Sequence, residues 1–590
     1  MAAATAALQA QEKIKIEKLD DLPRHTYKVS GKAIDLVKSD EAFARFAELV
    51  RHDIDADLAK FDIQDRAALR NLHAPLLYFD VLQGKDDAAL EEMKLLDGLE
   101  EKPAAKLTNG LILKAFIAAR RETKDAPEPG AILPAFRRDL EAELSTLPYE
   151  VVGDHIKQDK SRMEIVSETL LTAVVDNMIE PAVAKTGEVG ADSVLPIAKL
   201  RFDFRVGLSL QKDAAIAFQA YLDSHQTSKA DIWAGRSIAL PKEGKYTPVA
   251  IGIWDSGVDA DLFKGQVVGG IAFDLESKPT PELLEPLGDV KSRLPDLYKY
   301  MKGASDNDSG LDSPAAREFK AKLAGMKSSE IGPFIEDMQL CGVYSHGTHV
   351  AGIALDGNPW GRLVIARFTE DHHLIPKPHS IERARAMARE WQETVEYFKK
   401  QHVRVVNMSW EYDLKEFEGS LESNGIGKDA ADRADTARKI LDITRAALFD
   451  TLKNAPDILF VAAAGNGDNN VAFDEMIPAS FELPNLLVVG AVDQAGDPTG
   501  FTSYGKTVQI YSNGFEVESY VPGGQRLKFS GTSMAAPNVA NLAAKILARK
   551  PDFTPADVIA IIKKGATPVP EAKKAIPLID SRRTLGLLDD

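Results

Sequence analysis

Four short segments of the 590-residue chain carry side chains that could act together in chemistry. Asp255 ends the run Ile-Gly-Ile-Trp-Asp-Ser-Gly-Val. His346 sits in Tyr-Ser-His-Gly-Thr-His-Val-Ala-Gly, Asn466 in Ala-Ala-Ala-Gly-Asn-Gly, and Ser533 in Ser-Gly-Thr-Ser-Met-Ala-Ala-Pro. A carboxylate, an imidazole and a hydroxyl are the parts of a base-activated nucleophile. The imidazole takes the hydroxyl proton, and the carboxylate orients the ring and steadies its cation. A side-chain amide on a glycine-flanked turn can donate to an oxyanion. Each segment alone also has a plainer reading: Asp255 as a turn or cap, Ser533 as a helix cap, Asn466-Gly467 as a turn dipeptide. His346 and His349 are three apart, whereas zinc helices of the H-E-x-x-H kind space their histidines by four and carry a glutamate, which is missing here. No metal ligand is assigned.

The elements that must position these groups follow from the apolar pattern. Val249–Trp254, Val403–Met408, Ile458–Ala464 and Leu486–Val492 read as buried strands, with helical patterns at Ile381–Lys400 and Ala430–Lys453 between them. Strands alternating with helices predict an α/β fold, a mostly parallel sheet flanked by helices. Chemistry gathers at the carboxyl ends of such strands, where Asp255 and Asn466 fall. His346 is expected at the start of a closely packed helix. Ser533 is expected where a loop enters a helix, with backbone N–H groups and the helix dipole favouring a developing negative charge. Pro537 is tolerable in that first turn.

Residues 30–228 differ in texture and predict a mostly helical N-terminal domain. Ser39 caps one helix, on which Phe43, Phe46, Leu49, Val50, Ile54 and Leu58 recur at steps of mostly three and four. Similar patterns run through Ala67–Val81, Ala88–Leu99, Leu107–Ala119 and Met163–Val183, with a turn cluster at Pro127–Gly130. No motif or repeat appears there.

In combination, the four segments resemble the signature blocks of the subtilase family of serine peptidases, in the chain order Asp, His, Ser. Val405–Ser409, Val488–Asp493 and Phe501–Gly505 resemble further family stretches, and the likeness covers roughly residues 230–590. The resemblance implies a serine endopeptidase acting on proteins or peptides through an acyl-enzyme. Asp255, His346 and Ser533 would be the triad and Asn466 the oxyanion donor. Ser409, Trp410, Glu411, Ala463, Ala464 and Gly465 would line the substrate cleft. The family's serine usually continues into a leucine and two glycines, but here Trp410 and Glu411 follow Ser409. Glu411 has two readings, facing the cleft and pairing with a basic P1 side chain, or pointing to solvent. No cofactor is expected for the chemistry. Structural calcium is common in the family, and the acidic turn Asp306–Gly310 is a candidate without assigned ligands. The imidazole must be neutral to act, so activity is expected to rise with pH through ~6.5 if the histidine is unperturbed.

The family domain would span 229–590, with a charged, partly helical insertion at about 276–333. Residues 1–29 read either as a plain flexible N-terminus or as one whose first residues are the end of an incomplete export signal; the second reading gives a periplasmic or secreted location, and the cytoplasm stays open as the alternative. The helical region could include a propeptide, with self-cleavage between about Leu222 and Lys245. A formal net charge of −17 argues against a nucleic-acid partner. No apolar run reaches the ~20 residues of a membrane span. Cys341 is the only cysteine and excludes an intrachain disulfide. Two competing readings are a catalytically silent scaffold and a non-proteolytic hydrolase. The latter would carry a Gly-x-Ser-x-Gly elbow, which Ser533 lacks. The sequence leaves the oligomeric state open.

Overall fold

The computed structural model describes residues 13–123, 129–225, 229–568 and 576–589. The first residues, and with them the export-signal reading, lie outside these ranges, as do Pro127 and Glu128 of the predicted turn.

Short runs rich in valine, isoleucine and alanine build one seven-stranded sheet. In chain order its strands are β1 (Val249–Asp255), β2 (Val267–Ala272), β3 (Gly361–Arg367), β4 (Val403–Met408), β5 (Leu459–Ala463), β6 (Leu486–Val492) and β7 (Val508–Asn513). They lie in the order β7-β6-β5-β4-β1-β3-β2, all neighbours parallel. The chain adds β2 and β3 on one side of β1 and the remaining strands on the other. The order therefore reverses at β1 and β4, the point in such sheets beside which ligands bind, at the carboxyl ends of the strands.

Both faces of the sheet are covered. Ile251, Ile253, Val405 and Val461 pack on one face against the helices Ser328–Leu355 and Thr532–Arg549. Trp254, Val406, Met408 and Phe460 pack on the other against Ile381–Lys400 and Ala430–Lys453. The period-2 alternation of strand side chains makes this division.

The N-terminal region is mostly helical, as its patterning predicts. Ser39 caps Asp40–Lys60, its side chain accepting from the Ala42 N–H at 3.3 Å. The helices Arg66–Leu82, Asp86–Leu99 and Leu111–Glu122 follow. The pattern over Met163–Val183 is not one helix. Tyr149–Ile165 stops at Val166, and Ser167 caps a new helix, Glu168–Val174. That Ser-Glu start signal outweighs the continuing apolar spacing.

The insertion folds into the helices Leu294–Asp308 and Pro314–Gly325 and then runs straight into the helix Ser328–Leu355. His346 is consequently in the middle of a 28-residue helix and not at its start. Upstream of the histidine, Phe334, Met338, Cys341 and Tyr344 recur at near-helical steps and pack into a second apolar cluster, distinct from the one that takes Val350, Ala351 and Ala354, so the helix has no reason to begin at His346.

The helical region clasps the sheet domain at several points. Leu19 N–H donates to Phe473 O at 3.0 Å. Arg24 grips the Glu418 carboxylate at 2.9 and 3.0 Å. Lys185 reaches Ser423 O at 2.8 Å, and Gly190 N–H donates to Glu422 at 2.7 Å. Ser161 donates to Asp308 at 2.7 Å and meets Asn307 as well. No described helix is long and apolar enough to cross a membrane.

Candidate active site

Asp255 is the last residue of β1, and its side chain is buried. Its Oδ1 accepts from Ser256 N–H at 2.8 Å and faces His346 Nδ1 at 2.7 Å. A carboxylate accepts, so Nδ1 carries a proton and, once the ring is neutral, Nε2 is the free base. Gly347 explains how the helix comes so near. A Cβ there would lie 2.3 Å from Gly257 O and 3.1 Å from Asp255 Oδ1, so only glycine lets the two backbones meet. His349 has another role: its Nε2 bonds Leu527 O at 3.0 Å and its ring stacks on Phe529 in the core. Burial lowers its pKa to about 4, so this ring is neutral.

Ser533 stands in the first turn of Thr532–Arg549. It is tied to Ser409 in both directions: Ser533 Oγ donates to Ser409 O at 3.2 Å, and Ser409 Oγ donates to Ser533 O at 2.9 Å. Asn407 donates to Ser409 Oγ at 2.9 Å. The hydroxyl of Ser533 thus points at the Ser409 carbonyl.

Asn466 follows β5 on a sharp turn at Gly465, whose φ is +101°. Its side-chain oxygen accepts from Thr532 N–H at 2.9 Å and Thr532 Oγ1 at 3.2 Å. With the oxygen so occupied, the amide NH₂ is the group left to donate, beside the turn that presents Ser533. Thr532 Oγ1 also accepts from Gly465 N–H at 3.1 Å, so one threonine binds the two turns together.

The cleft residues named from sequence divide by parity along the strand. Ser409 and Glu411 share one face. Trp410 shares the face of Val406 and Met408, is 5% exposed, and packs with Trp254, Phe368, Trp391 and Tyr412. Its ring is core, and only its backbone can border a cleft. Ala463 and Ala464 are fully buried. Glu411 is not turned to solvent. Its carboxylate accepts from the Asn466 backbone N–H, and a Cβ on Gly465 would meet Glu411 Oε1 at 3.2 Å.

Negative charge surrounds the imidazole. Burial works to lower the pKa of His346, but the charge and hydrogen bond of Asp255, with Glu370 and Glu411, outweigh it and raise the value to about 9. Burial raises Glu411 to about 7 and holds Glu370 above the ordinary carboxylate range. Thr532, Glu370 and Ser256 were invisible to motif reasoning as participants, although Thr532 lies inside the Gly-Thr-Ser segment. The segment Asp306–Gly310 is not the acidic turn expected, since Asp306–Asp308 close the helix Leu294–Asp308, and its carboxylates are engaged. Asp306 engages Lys302 at 2.6 Å and Ser313 at 2.5 Å, and Asp308 engages Ser161. A second group, Asp371, His372 and His373, has converging ligand atoms on an adjacent loop. There Asp371 is already spent on His373 and on Lys377 N–H.

The chain matches the model of the subtilase family over residues 248–582. Subtilisin NAT of Bacillus subtilis subsp. natto is 25% identical over 368 residues, covering 61% of this chain and 86% of that protein. The thermostable alkaline protease of Halalkalibacterium halodurans is 30% identical over 224 residues, covering 38% of this chain and 52% of that one. With its family match spanning more than half its length, this chain belongs to the subtilase family of serine-type endopeptidases.

Proposed function

We propose that Ser533 attacks the scissile carbonyl while His346 Nε2 takes its proton, and that Asp255 orients the ring and stabilises the imidazolium. The carbonyl oxygen becomes an oxyanion received by the Asn466 amide and the Ser533 backbone N–H. His346 returns the proton to the leaving amine, and water then hydrolyses the acyl-enzyme by the same relay. The reading is carried by the 2.7 Å contact of Asp255 with Nδ1, which leaves the opposite nitrogen as base. It is supported by the Thr532 bonds that turn the Asn466 amide outward. The chemistry uses no cofactor. In this assignment residues 229–590 are the peptidase unit and 30–228 an accessory helical domain.

The substrate is a protein or peptide whose backbone lies along the segment 409–411. Glu411, on the cleft side beside Gly465, would pair with a lysine or arginine at P1. The experiment is hydrolysis of a denatured protein by the full chain and by Ser533→Ala, with the new termini sequenced. Activity in the first only, with cuts after Lys or Arg, fits the proposal. Equal activity in both would remove Ser533 from the mechanism, and cuts spread over apolar P1 residues would remove Glu411 from specificity.

A further inference from the structure

The turn that carries Asn466 is not self-supporting. It is zipped to the segment 501–504. Asp468 N–H donates to Phe501 O at 3.0 Å, Ser503 N–H to Gly465 O at 2.9 Å, and Tyr504 N–H to Asn469 O at 2.9 Å. Asp468 itself holds a left-handed conformation, φ +50°, one that aspartate adopts more readily than most residues with a Cβ.

Support for the turn also comes from a different part of the chain. Lys102, at the head of the helix Pro103–Thr108, reaches out of the helical domain and is 8% exposed. Its ammonium donates to Gly500 O at 2.6 Å and Thr502 O at 2.9 Å, and pairs with Asp468 Oδ1 at 2.5 Å. One cation thereby pins both sides of the zip. Arg70 adds a second hold, donating to Asp468 O at 3.0 Å and to Asp468 Oδ2 at 2.6 Å. These pairs join residues about 400 positions apart in sequence. Burying a lysine this deeply is expensive unless its charge is met, and here two carbonyls accept its hydrogen bonds while the Asp468 carboxylate supplies the counter-charge.

We propose that Lys102 and Arg70 are positioning residues for the peptidase: through Asp468 they fix the turn that aims the Asn466 amide at the oxyanion. The inference rests on the reading of Asn466 given above. It makes the helical domain a working part of the mature enzyme, in contrast to a propeptide, whose removal releases activity. Oxyanion donors act by preorganisation, and a displacement near 1 Å is enough to cost about 10²-fold.

The test is steady-state peptide hydrolysis by the full-length chain, with Lys102→Met, Arg70→Gln and Asn466→Ala singly and each of the first two combined with Asn466→Ala. Thermal unfolding checks that each protein folds. Should Lys102→Met fail to fold, Arg70→Gln carries the same test from a more accessible position. The expected result is a kcat lowered about 10- to 100-fold by Lys102→Met with KM changed less than about 2-fold, and less than about 3-fold further loss in the Asn466→Ala background. A folded Lys102→Met and Arg70→Gln with unchanged kcat would overturn the clamp. So would an undiminished loss on top of Asn466→Ala, which would mean a general packing effect. If Asn466→Ala alone leaves kcat intact, the oxyanion reading fails first and the clamp falls with it.

Discussion

The helical region and the α/β region of this protein carry function in opposite ways. In the α/β region the chemically active residues sit inside short segments, at the ends of strands and in the first turns of helices, where their neighbours in sequence define their geometry. Asp255 is set by Ser256 and Gly257, and Ser533 by Thr532. In the helical region nothing local marks Lys102 or Arg70. Each is one basic residue among many, and its role comes from what it touches across the interface. Motif-borne function is therefore readable one segment at a time, while interface-borne function emerges only when two distant segments are seen together.

Asn466→Ala is expected to lower kcat by about 10²- to 10³-fold with little change in KM, measured by steady-state hydrolysis, because the lost donor serves the transition state more than the bound substrate. A loss in KM alone would assign Asn466 to substrate binding instead. Trp410→Ala, which empties an aromatic cluster on the far face of the sheet, should destabilise the fold by about 3–5 kcal/mol in denaturant unfolding. A change in P1 preference without destabilisation would return Trp410 to the cleft.

Smaller effects are expected in the electrostatics. With His346 raised to about 9, the neutral base is scarce at pH 7. kcat/KM is expected to climb through pH 8 and level off above about 9, later than an unperturbed histidine with a pKa of about 6.5 would allow. Because Glu370 and Glu411 contribute to the raised value, Glu411→Gln should shift the acid limb of this profile downward. Glu411 itself titrates near 7, so preference for lysine or arginine over leucine at P1 should grow as pH rises through that value. Glu411→Gln should flatten that dependence and cut the preference by about 10-fold, the worth of a single charge-assisted contact. Identical profiles for the two proteins would show that Glu411 does not sense the substrate.

How much of this was legible follows from particular residues. The parallel sheet was legible because Val249–Trp254 and Leu486–Val492 are apolar on both faces, as strands covered on two sides must be. The placing of Asp255 at a strand end followed from the same pattern. Trp410 was assigned to the cleft by position in a family segment, although strand parity with Val406 and Met408 puts it on the opposite face. Glu411 is drawn inward by the Asn466 backbone N–H beside Gly465, a contact between distant segments that no local pattern announces. The glycine and small residues after His346 dominate the local pattern and suggest a helix start there; a second apolar face on the residues before it, packed in a different cluster, extends the helix upstream. The clamp was beyond reach of the sequence, since nothing short-range pairs residue 102 with residues 468, 500 and 502.

The account stands on Ser533 being a nucleophile activated by a base. Reaction of the intact protein with a fluorophosphonate, followed by peptide mapping, tests this without knowledge of the substrate. The account predicts a single adduct on Ser533, formed faster as pH rises toward about 9, and none in Ser533→Ala. An intact, folded chain that stays unlabelled across that range, or that is labelled on another serine, would contradict it.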